Sequence, residues 1–180
     1  MGFLLFSGAT TLHAQAPKAP AQPVQPSYTV TLTAYNAVPE QTDDTPHETA
    51  SGAFSNPDIV AARSRDLAGE LPFGTIVAFD GTGISPDNSC GYGVVEPRIG
   101  YRVIADTMNA RYADRIDILF DTKRTYRAAS GEVKNAAEVL GVCNGATLRV
   151  VGYVDIQDIP ETQAELAVLV GDTTTDLALK

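Results

Sequence analysis

The densest concentration of reactive side chains lies between Ala105 and Asp121, where Asp106, Asp117 and Asp121 stand in a short stretch that also holds Arg111 and Arg115. Asp117 is flanked by Ile116 and Ile118. Successive side chains of a strand point to opposite faces, so the two isoleucines share one face and Asp117 takes the other. With the isoleucine face as core, Asp117 looks outward or into a cleft. If it looks partly inward, burial disfavours its charged form and raises its pKa, and a neighbouring carboxylate pushes the same way. A carboxylic acid held protonated near neutral pH is what glycosidic bond cleavage requires as a general acid. The plainer alternative is that Asp106 and Asp117 order loops by accepting backbone N–H bonds, and spacing alone leaves both readings open.

The elements that must position these groups are short strands. From Tyr28 onward, Thr29, Thr31, Thr33 and Tyr35 alternate with Val30, Leu32 and Ala34, the period of a half-buried strand. Further strands are predicted at 59–62, 75–80, 93–96, 101–106, 115–120 and 146–155, most of them separated by Gly and Pro. Six or seven short strands with irregular connections indicate a mainly β chain folded as a small barrel or sandwich. A helical insert is expected after residue 120. Asp121 caps a first piece through Ala129, Ser130 caps a second through Leu140, and Gly141 stops it. Residues 36–52 form a long polar loop. Residues 159–180 read as an acidic, mostly loose tail with one or two helical turns at most, between Glu165 and Val170.

Residues 1–16 combine a short apolar stretch with Ala14-Gln15-Ala16, the small-x-small pattern that precedes signal-peptide cleavage, although no Lys or Arg stands before the apolar part. Residues 17–27, rich in Pro, Ala and Gln, then form an extended linker, and the folded domain occupies 28–158. The expected location is the periplasm or the exterior of the cell. Cys90 and Cys143 agree with export, because in an oxidising compartment they can close one disulfide, the alternative being two unrelated buried thiols.

Composition excludes several function classes. With 13 Lys+Arg against 22 Asp+Glu, the 180-residue chain carries a formal charge of −9, which is the wrong sign for a nucleic-acid backbone. No apolar run is long enough to span a bilayer. A metal site is not expected, since the only histidines are His13 and His47, the cysteines lack ligand spacing, and Asp43-Asp44 lacks the rest of a calcium loop. Gly81-Thr82-Gly83 is a turn and not a phosphate loop, because no helix-starting Gly or Lys follows it.

The motifs also resemble those of a family. Thr33-Ala34-Tyr35, Thr49-Ala50-Ser51-Gly52, Pro72-Phe73-Gly74-Thr75, Ala105-Asp106-Thr107 and Arg115-Ile116-Asp117 with Phe120-Asp121 occur in the order and approximate spacing of the three-aspartate (3D) domain. That domain is a double-psi β-barrel found in membrane-bound lytic transglycosylase A and in stationary-phase survival proteins. The resemblance implies a six-stranded double-psi barrel acting on peptidoglycan glycan strands without a cofactor, as a monomer. Asp117 matches the family's single acid/base. It would protonate the oxygen joining N-acetylmuramic acid to N-acetylglucosamine, then take the proton of the muramic C6 hydroxyl, which closes a 1,6-anhydro ring. Asp106 matches the second aspartate, with a substrate-binding or tuning role, and Asp121 the third, although it also stands where a helix cap belongs. Thr33, Tyr35, Ser51, Gly52 and Arg115 would line the glycan groove.

One departure stands out: Met108-Asn109 occupies the place of a Gly-Gly pair. Glycines there would allow a close sugar approach or positive φ, which Met tolerates poorly. The departure suits a rival reading, a non-catalytic barrel that binds or loosens cell-wall glycan as expansin-like domains do. A water-using hydrolase of the same barrel type would instead need Asp106 as a second catalytic carboxylate.

Overall fold

A computed structural model describes residues 25–42, 45–88, 90–127 and 131–172. The expected signal peptide, most of the linker and the end of the tail lie outside the described residues. Eight strands are present: β1 (Ser27–Tyr35), β2 (Val60–Arg63), β3 (Thr75–Asp80), β4 (Arg102–Thr107), β5 (Arg115–Leu119), β6 (Thr125–Arg127), β7 (Val133–Asn135) and β8 (Cys143–Tyr153). Three short α-helices accompany them: α1 (Tyr92–Val95), α2 (Ala136–Leu140) and α3 (Gln163–Leu169).

Six strands close a barrel in the order β1-β5-β2-β4-β3-β8. β1 runs parallel to β5 and β2 parallel to β4, whereas every other neighbouring pair is antiparallel. Exchanging the first three barrel strands (β1, β2, β3) with the last three (β4, β5, β8) maps this pairing scheme onto itself. Two crossed parallel pairs related in this way form the double-psi connectivity. The two central strands, β2 and β5, bring chain segments more than fifty residues apart into one register, with Ala62 opposite Asp117.

Alternation explains which side chains fill the barrel. Val30 and Leu32 of β1, Ala61 of β2, Ile104 of β4 and Ile116 and Ile118 of β5 all point inward and are essentially inaccessible. The opposite faces of the same strands are not simply solvated. Tyr35, Val60, Ala62, Ala105, Met108 and Leu119 form a second apolar layer on the outside of the barrel, and it is in this layer that the aspartates are set.

Three local expectations change. Residues 93–96, predicted as a strand, lie within α1 and the 3-10 turn Glu96–Arg98. Their apolar residues cap the barrel end, where Val95 and Ile99 are buried beside Leu140. The first helical piece after Asp121 is instead a hairpin of β6 and β7, and only α2 follows the prediction, starting at an Asn135–Glu138 capping box and ending at Gly141. Residues 159–172 are docked, not loose. Thr162 and Glu165 form a second capping box, and α3 presses Leu166 onto Ile59, Ile76 and Val103.

Cys90 and Cys143 form a disulfide with 5.3 Å between Cα atoms, joining the segment before α1 to the start of β8. It closes a 53-residue separation, and such a bond is at home in an oxidising compartment. Its removal by the double change to Ser is expected to cost about 4 kcal/mol, chiefly by releasing the unfolded chain. Chemical denaturation of the double variant, set against the oxidised protein, measures this. Among the described residues, no helix is long and apolar enough to cross a membrane.

Candidate active site

The site begins as a row of residues across four strands. Thr33 of β1 pairs with Asp117 of β5, Asp117 with Ala62 of β2, and Ala62 with Asp106 of β4. Paired residues share a face, so Thr33, Asp117 and Asp106 project together on the outer side, with only the methyl of Ala62 between the two carboxylates. Asp106 reaches this face because of a bulge. The register slips between Ala61 and Ala62, which oppose Ile104 and Asp106, leaving Ala105 as the extra residue. Without the bulge, alternation from Ile104 would turn Asp106 into the barrel.

The two aspartates have different surroundings. Asp106 accepts three protein hydrogen bonds. The Tyr35 hydroxyl donates to Oδ2 at 2.8 Å, and the backbone N–H groups of Ala50 and Thr107 donate to Oδ1 at 2.9 and 2.8 Å. The Ala50 bond, with one from Ser51 N–H to the Ala105 carbonyl at 3.2 Å, fastens the 49–52 turn to β4. Gly52 closes that turn at φ +83°, a conformation that favours glycine. The Thr49 and Ser51 hydroxyls lie 3.0 Å apart within it. Asp106 thus orders the 49–52 turn.

Asp117 orders no loop. It accepts one protein bond, from the Thr33 hydroxyl to Oδ1 at 2.8 Å, and is half-buried beside Tyr35 and the outer apolar layer. Burial pushes its carboxyl up to about 6. The Thr33 bond and the Arg115 charge pull the other way, and the Asp106 charge adds a smaller upward push. Burial also holds the Tyr35 phenol well above its ordinary value, helped by its bond to Asp106, so Tyr35 stays a hydrogen-bond donor. Thr33→Val removes a bond that favours the charged form of Asp117, and so is expected to raise the titration midpoint of that carboxyl, which NMR of the carboxyl-labelled protein reads. Tyr35→Phe frees one Asp106 oxygen and is expected to loosen the 49–52 turn by about 1–2 kcal/mol.

The other predicted residues divide. Arg115 shares the Asp117 face of β5, and its guanidinium lies 4.6 Å from the Tyr112 ring centroid. Asp121 is spent locally, its Oδ1 accepting from Lys123 N–H at 2.9 Å to close a turn. It caps no helix. Neither Met108 nor Asn109 has positive φ, Asp114 being the one non-glycine that does among the described residues. Met108 is instead buried in the outer apolar layer, and its N–H bonds to the Arg63 carbonyl at 2.9 Å. The backbone at this position therefore does not require glycine.

Arg111 and Tyr112 had no assigned role in the sequence reading. The Arg111 guanidinium lies 4.7 Å from the same ring and donates to the Tyr112 hydroxyl at 2.8 Å. Two arginines spaced around one tyrosine, just before the strand that carries the acid, was the signal available. No protein-family model matches the chain, and no curated protein does.

Proposed function

We propose that the protein is a peptidoglycan lytic transglycosylase with Asp117 as its single acid/base. The observation that carries this is the contrast between the carboxyls. One is half-buried with a pKa near 6 and reachable from solvent, and its neighbour has its oxygens already committed to protein donors. A protonated Asp117 can give its proton to the glycosidic oxygen as the C1–O bond breaks. The resulting carboxylate then takes the C6 hydroxyl proton as that oxygen bonds C1, which returns Asp117 to its starting state and consumes no water.

Thr33 steadies the carboxylate through both steps, and Arg115 offsets its charge once the proton has left. A hydrolytic route would need a second free carboxylate to activate water. The three bonds to Asp106 leave it poorly suited to that role, which favours the transglycosylase among enzymes of this barrel type. The disulfide supports an extracytoplasmic location, where this substrate is found.

Mass spectrometry of purified sacculi incubated with the protein tests the reading. The expected products are soluble muropeptides about one water, roughly 18 Da, lighter than hydrolytic products. Products with free reducing ends would replace it by a hydrolase. Sacculi that retain the protein but release nothing would replace it by the expansin-like binding module.

A further inference from the structure

Arg115 is an unusual strand residue. Its Nε is buried without a hydrogen-bond partner among the described residues, and its guanidinium makes no ion pair there, although it lies near enough to Asp117 for their charges to interact. Leaving a buried donor unmade is costly, and a free surface arginine would rotate its head into water. The Tyr112 ring instead holds the group in place. The same ring holds Arg111, so two cations are gathered on one aromatic side chain in a chain of net charge −9. Neither is ion-paired. The ion pairs among the described residues are Arg124 with Asp58 and Lys134 with Glu132. The Asp66 carboxylate accepts from Asp114 N–H at 2.8 Å.

We propose that Arg111, Tyr112 and Arg115 form a carboxylate-binding subsite beside Asp117, occupied by an acidic group on the muramyl side of the glycan. The identity of the occupant rests on the function proposed above. A planar guanidinium offers paired N–H donors that match a carboxylate, and a fixed one loses little freedom on binding. Two sources carry this group in peptidoglycan: the lactyl carboxylate of peptide-free strands and the carboxylates of stem peptides. An acidic enzyme otherwise repels both, and a local cationic pair next to the acid places the muramic residue at the scissile bond.

The test uses the full chain and three soluble strand preparations: peptide-free with free lactyl carboxylates, peptide-free with these capped as methylamides, and peptide-bearing. Binding is read by co-sedimentation and cleavage by KM and kcat. The expected result is at least tenfold weaker binding and higher KM for capped than for free strands, with kcat changed less. Arg115→Met and Arg111→Met should each erase most of that difference while thermal unfolding shows the fold intact. Tight binding of peptide-bearing strands that is lost on amidating their peptides would assign the subsite to the stem. Equal affinity for all preparations, or a preference that survives both Met variants, overturns the proposal while leaving the transglycosylase standing. Absence of cleavage overturns the transglycosylase, and the co-sedimentation series still decides the subsite.

Discussion

Asp117→Asn is expected to abolish glycan cleavage while making the protein more stable at neutral pH. Loss of a positioned general acid lowers the rate by about 10²–10⁴-fold, and in the proposed mechanism the same group also serves as the base. The stability gain comes from the same burial that makes the residue useful. Between roughly pH 4, where an unfolded Asp loses its proton, and the folded value of about 6, the native state keeps a proton that the unfolded state has released. Stability therefore falls as pH rises through this window. Asn has the same shape, keeps an oxygen for the Thr33 hydroxyl and has no charge to bury. After allowance for the partial exposure of the site, the gain at pH 7 is expected to be about 1–2 kcal/mol. It should vanish near pH 3, where Asp117 is neutral in both states. Urea denaturation of both proteins at pH 3.5 and 7 measures it, and a variant less stable than wild type at pH 7 would count against a raised pKa.

The second large effect is expected at Arg102, far more buried than its residue type leads one to expect. It is 1% exposed and, among the described residues, makes no ion pair with a carboxylate. Its Nε donates to the Ile99 carbonyl at 2.7 Å. Nη1 donates to Pro57 at 2.7 Å and Leu119 at 3.1 Å, with Val60 at 3.5 Å, and Nη2 donates to Arg98 at 3.1 Å. The group also faces the Phe120 ring at 5.6 Å. Burial pulls its pKa down to about 9, which still leaves it charged at pH 7. One side chain thus satisfies carbonyls from the turn before β2, from β2, from the end of β5 and from the turn before β4.

Arg102→Met fills the volume but leaves those carbonyls unpaired in a dry interior, at an expected cost of about 3–5 kcal/mol. Arg102→Lys should recover little, because an ammonium cannot reach the same fan of acceptors. Both costs are readable as shifts in denaturation midpoint. A loss below about 1 kcal/mol for Met would mean that water replaces the guanidinium.

These two residues show where sequence was informative and where it was not. Alternation around Ile116-Asp117-Ile118 and along Thr29–Tyr35 was enough to place the strands and to put Asp117 on the face away from the barrel interior, because both faces of a strand are written in one short stretch. The bulge at Ala105 was not legible: it depends on how β2 and β4 match, and nothing in Ala105-Asp106 alone marks it. Thus the two aspartates looked interchangeable as loop-ordering groups, whereas three donors converge on one and a single hydroxyl meets the other.

The 125–135 hairpin misled for a physical reason. Tyr126 and Val133 stand at helical spacing from Ala137 and Leu140, yet Gly131 adopts φ +86° between them, where an α-helix cannot continue. The burial of Arg102 and the docking of α3, whose helical turns were expected, were hidden because both are purely tertiary. An arginine before Val-Ile-Ala and a Thr-rich acidic tail both read as exposed when judged from composition.

The most direct test of the account is the titration of the Asp117 carboxyl itself, followed by carbon-detected NMR of the carboxyl-labelled protein and assigned by the resonance missing from Asp117→Asn. The measurement needs no substrate, so it probes the acid independently of which glycan the protein meets. A single transition with a midpoint near 6 is expected, about two pH units above an ordinary aspartate. A midpoint near 4 would mean that Asp117 is ionised wherever the protein works, and would contradict its role as the general acid.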